Sequence, residues 1–342
     1  LCILVFLCIA LVSVVSKFFR SESWVSSISS RYRLASLWET SPPSSDVAFA
    51  TFLAGNDKAP DQENATDEDD GRDGYFMSAR VLTYMLRHST RAGNPTIPFL
   101  VLCTPDVSAR KRDRLTRDGA TVVVVEKLVQ SWVHPKLQRW RDVMAKLRLF
   151  ELTQWRKICF LDADTLVMED ISGVFQDEAT RPQTTQDRGG NATKPDEAAL
   201  PATYVFASHN DARTWRHDYP LPSAAEYLNS GFFVLAPSTQ LFDYYMSVLA
   251  IPDRFPPGLP EQNLLNYAHR PEGNMPWQPL WHGWNVNCPN EDDFYGGAKS
   301  FHDKYWTGEH PHDTMIKAVW ARQRVEMERF YAERDDRDIL RR

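Results

Sequence analysis

The sequence predicts an α/β fold whose sheet is mostly parallel. Between residues 47 and 164, short apolar segments alternate with segments of helical character, and such alternation is typical of parallel sheets. The 342 residues are 43% hydrophobic and 25% charged, as in globular proteins long enough to bury a full core. Composition therefore excludes a wholly disordered chain, a collagen and a small disulfide scaffold.

The first half of the predicted domain contains four strands with helices between them. Each strand is short and apolar, and the helices carry either helical apolar spacing or an exposed polar face. Gly119 is expected to end the second helix. The predicted strands are 47–54, 97–106, 121–128 and 157–164, and the predicted helices are 74–89, 107–119 and 137–154.

The second half adds two strands, three helices and an aromatic-rich stretch. Ser238 is the predicted N-cap of the helix that begins at residue 239. No repeat or composition break divides residues 46–335, so we predict one domain over this range. The predicted strands here are 204–210 and 228–238, and the predicted helices are 239–250, 261–269 and 314–333.

The net charge of −6 is local. Residues 57–73 hold eight acids and two bases, so the other 325 residues are formally neutral. Such a polar run cannot bury enough surface to order itself and is typical of a solvated surface insertion. A second insertion, 179–200, is rich in Thr, Gln, Gly, Asn and Pro. The absence of a basic excess argues against a nucleic-acid partner.

The N-terminus, residues 1–16, is an apolar segment followed by Lys17 and Arg20. It is shorter than the roughly 20 residues of a full span, so it fits a signal-peptide core or a truncated anchor. No clear cleavage site follows, which favours an uncleaved signal anchor over a cleaved peptide. Residues 17–45 are Ser-rich and are predicted to be a stem.

Either interpretation places the predicted domain in the lumen of the secretory pathway. The favoured signal anchor predicts a single-pass type II protein of the Golgi or another secretory-pathway membrane. The sequons at Asn64 and Asn191 agree with this address and predict a glycoprotein. Outside the N-terminal segment lie three cysteines, and their odd number excludes a fully paired set. Cys103 and Cys159 lie in apolar strands and are expected to be buried free thiols.

One Asp-x-Asp motif lies directly after an apolar strand. In a parallel sheet, ligands collect beyond the carboxyl ends of the strands. Two carboxylates at i and i+2 of an extended chain face the same side, where they can bind one hard cation; the alternative is that they merely cap a turn. The three occurrences of the motif are Asp67/Asp69, Asp162/Asp164 and Asp336/Asp338, of which only the second follows a strand.

Three blocks of the sequence resemble glycosyltransferase family 8, the glycogenin-like enzymes of GT-A fold. They are KLRLFELTQWRKICFLDADTLVMEDISGVF, LNSGFFVLAPS and PEQNLLNYAH, in family order, and the resemblance covers most of residues 46–310. It implies a GT-A fold, which is a Rossmann-like, mostly parallel sheet in a single nucleotide-sugar-binding domain. It also implies a retaining transferase that moves a sugar from a nucleotide sugar, usually a UDP-sugar, to an acceptor hydroxyl.

The resemblance also implies roles for individual residues. Asp162 and Asp164 would bind a divalent cation, usually Mn²⁺, which bridges the donor diphosphate. His302 would complete the metal site, although the family has its Lys-Pro-Trp several residues after the His, whereas here Lys304 follows two residues after His302 and the Pro is missing. Glu261 stands where the family has Asp. The catalytic residues are then Glu261, Gln262 and Asn229, and the substrate-binding residues are Lys146, Ser230, Tyr75 and Lys304.

Several alternatives remain open from the sequence. Tyr75 could stack on the base or belong to the core, and His310 and His312 could serve a zinc hydrolase, although no third zinc ligand accompanies them at a recognisable spacing. Aromatic side chains pack on sugar faces or in cores, so any of Trp277, Trp281 and Trp284 could contact an acceptor.

The expected acceptor is a glycan, a glycoprotein or a small molecule, and the chain is expected to be of fungal type. A membrane segment argues against glycogenin itself, whose work is cytosolic. The rival interpretations are a fungal-type N-acetylglucosaminyltransferase on the same fold and a non-catalytic sugar-binding relic. The intact Asp162-Ala-Asp164 motif argues against the relic.

Overall fold

The structure is a computed structural model that describes residues 45–55, 71–189, 194–221, 226–307 and 314–340. Several predicted features lie outside these ranges: the apolar N-terminal segment, all but the last residue of the stem, most of the acidic insertion, both sequons, and His310 and His312. Across the described ranges, no helix is long and apolar enough to cross a membrane.

Seven strands form the central sheet, in the order β10-β8-β9-β4-β1-β2-β3. Strands β11, β12 and β5 form a second sheet, and β6 pairs with β7. The strands are β1 Val47–Leu53, β2 Phe99–Cys103, β3 Thr121–Val124, β4 Lys157–Leu161, β5 Thr165–Val167, β6 Gln183–Thr184, β7 Thr203–Tyr204, β8 Phe206–Asn210, β9 Leu228–Leu235, β10 Gln278–Pro279, β11 Val286–Asn287 and β12 Ser300–His302.

The pairings in the central sheet are parallel except those of β9. Strand β1 pairs in parallel with β2 and β4, and β2 with β3. Strand β9 runs antiparallel between β4 and β8. The predicted α/β class with a mostly parallel sheet is therefore confirmed. As a result, the carboxyl ends of β1, β2, β4 and β8 and the start of β9 share one edge of the sheet.

Helices cover both faces of the central sheet, so the sheet divides the hydrophobic core into two parts. On one face, Phe160 and Phe206 pack with Phe150 and Tyr245; on the other, Phe49 packs with Phe175. Strands buried on both faces are expected in a parallel sheet. The α-helices are α1 Gly74–Arg87, α2 Ala109–Asp118, α3 Thr239–Leu249, α4 Pro260–Ala268, α5 Glu291–Gly296 and α6 Thr314–Leu340.

Two predicted helix boundaries coincide with capping residues in the structure. Ser238 Oγ accepts a hydrogen bond from the Leu241 N–H at the start of α3, which satisfies one otherwise unpaired backbone donor. Gly119 ends α2 in the left-handed conformation, with φ of 108°, a backbone geometry that glycine adopts without strain.

The predicted helix over 137–154 is wrong in type. The structure has 3-10 helices at Gln138–Trp140 and Val143–Glu151 instead of one α-helix. Every side chain from Val143 to Phe150 is buried, so this segment is packed all round and is not an amphipathic surface helix. Tertiary packing overrides the weak local preference for an α-helix.

The second insertion is anchored to the domain. Its pairing of β6 with β7 forms a short antiparallel ladder, and Arg254 contacts Asp196 at 2.5 Å and Glu197 at 2.6 Å. The buried carboxylate of Glu197 also accepts a hydrogen bond from Tyr244 Oη. The terminal helix α6 extends to residue 340, beyond the predicted end at 333.

Candidate active site

Asp162 and Asp164 follow β4 at the edge of the sheet where its parallel strands have their carboxyl ends. The backbone N–H of Asp162 donates to Gly231 O at 2.8 Å, which joins the motif to β9. Asp164 is buried, whereas the Asp162 side chain is one-quarter exposed. The Asp162 carboxylate therefore lies at the surface, and the Asp164 carboxylate lies beneath it.

His302 reaches the two aspartates through the second sheet. Strand β12 pairs with β5 so that His302 lies opposite Thr165, the residue after Asp164. His302 Nε2 lies 3.0 Å from Asp164 Oδ1 and 3.6 Å from Asp162 Oδ2. A Cβ on Gly231 would come within 2.1 Å of His302 Cε1, so only glycine leaves room for the imidazole.

These three residues fit a divalent cation. Each offers one ligand atom, and the three atoms lie within 4.8 Å of one another. Carboxylate oxygens and an imidazole nitrogen suit Mn²⁺ among the biological metals. The buried Nδ1 of His302 has no hydrogen-bond partner among the described atoms. The donor set thus agrees with the predicted metal site, and the ion's identity stays a prediction.

Lys304 balances the charge of the aspartates. Its Nζ lies 2.8 Å from Asp164 Oδ2. Burial alone would raise the pKa of the Asp164 carboxyl, but the charges of Lys304 and His302 outweigh burial and hold that pKa well below its usual range. Conversely, burial opposes a charged Lys304, and Asp164 raises the pKa of its ammonium.

Lys146 occupies the other side of Asp162. Its Nζ lies 2.7 Å from Asp162 Oδ1 and 2.9 Å from Glu261 Oε1. The 3-10 helix carries Lys146, and the first turn of α4 carries Glu261. Burial would lower the pKa of Lys146, but the two carboxylates outweigh it and raise that pKa. The ammonium therefore stays charged and links the Asp-x-Asp motif to α4.

Ser230 and Gln262 continue this network along β9 and α4. Ser230 Oγ donates to Glu261 Oε1 at 3.1 Å, and the Ser230 N–H donates to Gln262 Oε1 at 3.1 Å. Asn229 Oδ1 accepts from the Gly231 N–H at 2.8 Å. We call the joined set the charged centre; it comprises Asp162, Asp164, His302, Lys304, Lys146, Glu261, Ser230 and Gln262.

Sequence reasoning missed two residues that support the charged centre. Asp211 Oδ2 accepts from Gln262 Nε2 at 3.1 Å, and Asp211 Oδ1 accepts from Asn287 Nδ2 at 2.8 Å. Asp211 follows β8 just as Asp162 follows β4. Its position at the carboxyl end of a strand could have identified Asp211 from the sequence. Nothing in the sequence indicates that Asn287 is its partner.

Tyr75 lies near enough to Lys304 and Asp164 for their charges to act on it. Its ring meets Trp306 edge to face, with centroids 5.0 Å apart, and a Cβ on Gly74 would overlap the Trp306 ring. Burial raises the pKa of Tyr75 to about 12, and the charges of Lys304 and Asp164 also act on it. The Tyr75 phenol is thus neutral and close to the charged centre, and its predicted role in stacking on a base stays a prediction.

The three tryptophans proposed for acceptor contact differ in environment. Trp277 is wrong as a candidate because it lies in the core, 2% exposed. Trp284 is half-buried and donates its Nε1–H to Asp177 Oδ2 at 2.8 Å. Trp281 is 44% exposed, so it is the one of the three whose face is open to a ligand.

Comparison with known proteins finds glycosyltransferases. No family model matches the chain. An uncharacterized protein of Schizosaccharomyces pombe is 27% identical over 262 residues, which are 68% of this chain and 70% of that protein. Galactinol synthase 2 of Solanum lycopersicum is 27% identical over 234 residues, covering 66% of this chain and 60% of the synthase.

A similar solved structure is the galactosyltransferase LgtC in complex with donor and acceptor sugar analogs. It is 14% identical, with a TM-score of 0.49, over 82% of this chain and 95% of LgtC. The sequence relatives bear out the enzyme class predicted for this chain, a glycosyltransferase.

Proposed function

We propose that this chain is a metal-dependent, retaining glycosyltransferase that transfers a sugar from a UDP-sugar to an acceptor hydroxyl. The observation that carries the proposal is the convergence of Asp162, Asp164 and His302 within 4.8 Å at the sheet edge. The Lys146–Glu261 pair joins this cluster through Asp162. The identity shared with galactinol synthase supports the same class of chemistry.

Charge explains why a cation belongs to the proposal. The negative charges of Asp162 and Asp164 would repel a nucleoside diphosphate. The diphosphate can bind near them only if a positive charge lies between the carboxylates and the phosphates. Bound there, a cation such as Mn²⁺ would supply positive charge that stabilises the departing diphosphate. The ammonium of Lys304, held by Asp164, adds a second positive charge on the same side.

The amide of Gln262 is fixed in orientation by its neighbours. Its Oε1 accepts from the Ser230 N–H, and its Nε2 donates to Asp211. A fixed dipole needs no reorganisation when positive charge develops on the sugar ring. With Asn229 beside Ser230, Gln262 would steady an oxocarbenium-like centre.

Glu261 is already engaged as an ion-pair partner. Its Oε1 contacts Lys146 at 2.9 Å and accepts from Ser230 Oγ at 3.1 Å. A carboxylate neutralised in this way is a poor nucleophile, because its negative charge is shared with the ammonium. This pairing favours front-face attack by the acceptor hydroxyl, with the leaving phosphate taking the proton, over a covalent sugar–enzyme intermediate.

The test is hydrolysis of a panel of nucleotide sugars with and without Mn²⁺, which needs no knowledge of the acceptor. We expect one or a few UDP-sugars to be hydrolysed only with the metal, and Asp162→Ala to abolish this activity. Full activity of Asp162→Ala, or hydrolysis unaffected by chelation, would contradict the proposal. The preferred donor would also separate an N-acetylglucosaminyltransferase from the other candidates.

We further propose that a membrane anchor holds this enzyme in the secretory lumen, as the apolar residues 1–16 suggest. Sequons become glycosylated only in that compartment. A gel shift after glycosidase treatment that is absent from the Asn64→Gln/Asn191→Gln variant would support this address. An unglycosylated chain in the cytosolic fraction would contradict it.

A further inference from the structure

A cavity of about 320 Å³ lies at the carboxyl end of β8, on the same sheet edge as the charged centre. We call it the Trp281 cavity. Its walls combine apolar side chains with polar groups from β8. The lining residues are Asp177, Ser208, His209, Asn210, Leu221, Pro279, Leu280, Trp281 and His282.

The polar wall of the Trp281 cavity lies at an irregularity in the pairing of β8 with β9. Consecutive residues of a regular strand point to opposite faces, yet Ser208, His209 and Asn210 all line the cavity. The pairing of β8 with β9 shifts its register between Ser208 and His209. Bulges often re-aim side chains next to binding sites, so this irregularity fits a built site.

The Trp281 ring is a fixed platform. The Trp281 N–H donates to Asp177 Oδ2 at 3.1 Å, and the ring meets Trp284 edge to face at 5.2 Å. A Cβ on Gly283 would come within 2.2 Å of the Trp281 ring. The ring is therefore held from several sides while 44% of the residue stays exposed. An aromatic face in this position suits the apolar C–H face of a sugar.

His209 supplies an unsatisfied polar group in the same wall. The residue is 8% exposed, and its Nε2 has no hydrogen-bond partner among the described atoms. Burial lowers the pKa of His209 to about 3, so the imidazole is neutral at physiological pH. A buried nitrogen without a hydrogen-bond partner destabilises a protein. A ligand hydroxyl would relieve that penalty.

The charge of the lining excludes anions and metals. Among the described residues, no lysine or arginine lines the cavity, so this part of the lining offers no cation to a diphosphate. Asp177, the one carboxylate among the described lining residues, already accepts from the Trp281 N–H, from Trp284 Nε1–H and from the Ala179 N–H. A neutral ligand is what this set of groups can hold.

The cavity adjoins the charged centre through β8 and β9. His209 is the register partner of Asn229 on β9. Asn210, in the cavity wall, precedes Asp211, which accepts from Gln262 Nε2 at 3.1 Å. A molecule in the Trp281 cavity would thus lie one strand away from the residues that we assign to the donor sugar.

We propose that the Trp281 cavity binds a neutral, polyhydroxylated ring of the acceptor, a sugar or a cyclitol. The C–H face of the ring would pack on Trp281, and one hydroxyl would hydrogen-bond to His209. This inference rests on the proposed function and adds the chemical class of its acceptor.

The first test is ligand-observed NMR with four neutral probes: methyl α-glucoside, methyl α-galactoside, methyl α-mannoside and myo-inositol. At least one should bind the wild-type protein, and Trp281→Ala should weaken it roughly tenfold, as loss of an aromatic platform implies. Tyr295→Ala removes an aromatic side chain that is 75% exposed outside the cavity, and this matched control should leave binding unchanged. Glucose 6-phosphate should bind more weakly than the neutral probes.

The second test uses His209→Phe, which keeps an aromatic ring and removes the unpaired nitrogen. If the nitrogen serves a ligand, this variant should lose affinity for the probe yet unfold at the same temperature as wild type or higher. If the residue were only structural, probe affinity would not change.

The inference fails if no neutral probe binds, or if Trp281→Ala and His209→Phe both bind as well as wild type. Metal-dependent hydrolysis of UDP-sugars in the same variants separates this failure from failure of the proposed function. Both variants should retain hydrolysis without acceptor, because neither residue belongs to the charged centre.

Discussion

The charged centre and the Trp281 cavity lie on one edge of the sheet but differ in chemistry. The charged centre pairs three carboxylates with two lysines and an imidazole, at distances of 2.7–3.6 Å. Among its described lining residues, the cavity has one carboxylate, which accepts three N–H hydrogen bonds, and two imidazoles, of which burial keeps that of His209 neutral. Ionic groups suit a metal and a diphosphate, whereas neutral groups suit a sugar ring. This difference is why we propose donor chemistry for the charged centre and acceptor binding for the Trp281 cavity.

The largest effect should come from Asp164→Asn in the charged centre. The change keeps the shape of the side chain but removes the negative charge that faces His302 and Lys304. We expect metal-dependent hydrolysis of the UDP-sugar to fall by roughly a thousandfold, since electrostatic groups at such sites contribute several kcal/mol. The rate with saturating Mn²⁺ measures this.

The matched control is Glu169→Gln, which removes an exposed carboxylate that follows β5. It should hydrolyse the donor at the wild-type rate. If Asp164→Asn kept more than a tenth of the activity, the charged centre would not be the catalytic metal site.

Lys146→Met should have the next largest effect, on stability. Lys146 is buried between Asp162 and Glu261, and its removal leaves two close carboxylates without a counter-charge. Breaking such a pair costs about 3 kcal/mol or more in the free energy of unfolding, which urea denaturation measures. Lys194→Met, at an exposed site, should change it little.

Glu261→Gln in the Lys146→Met background should recover part of that loss, because it removes one of the two uncompensated charges. No recovery would mean that the lysine acts by packing and not through its charge.

Gly231→Ala tests the space that the charged centre leaves for His302. The new Cβ would come within 2.1 Å of His302 Cε1, so the imidazole must move away from the aspartates. Loss of one well-placed ligand should weaken Mn²⁺ binding by roughly 10- to 100-fold. Gly71→Ala is the matched control, because the nearest described atom to its Cβ would be in the Arg324 side chain, at 3.9 Å. Equal Mn²⁺ affinity of the two alanine variants would show that His302 is not a ligand.

The smallest effect should come from Gly283→Ala in the Trp281 cavity. Its Cβ would come within 2.2 Å of the Trp281 ring and displace the platform without removing it. We expect acceptor KM to rise about threefold, a loss below 1 kcal/mol, while donor hydrolysis stays unchanged. Steady-state transfer kinetics measure the two quantities separately. A change in donor hydrolysis would mean that the two regions are not distinct.

The sequence predicted the parts of the fold that depend on local patterns. Apolar runs located the strands, and Ser238 and Gly119 marked helix ends because capping is a property of neighbouring residues. The 3-10 helix around Lys146 was beyond such reasoning, since burial on all sides decides its geometry. The antiparallel direction of β9 is likewise set by partners distant in sequence.

The site residues also fall into those that the sequence could predict and those that it could not. Asp162, Asp164, Lys146, Glu261 and Gln262 were accessible because motif order resembles a known family, and the structure brings them together. Asp211 and Asn287 were missed because 76 residues separate them and only tertiary structure makes them partners. The polar wall of the Trp281 cavity lies at a shift in register between β8 and β9, which no residue pattern predicts.

The most direct test of the account is a titration of Mn²⁺ monitored by electron paramagnetic resonance, with and without UDP. Binding of the ion and the diphosphate should be coupled, so each tightens the other by the same factor. We predict that the wild-type protein binds one Mn²⁺ more tightly when UDP is present, and that Asp162→Asn/Asp164→Asn binds none at this site. Equal Mn²⁺ binding by the two proteins, or binding indifferent to UDP, would contradict the account.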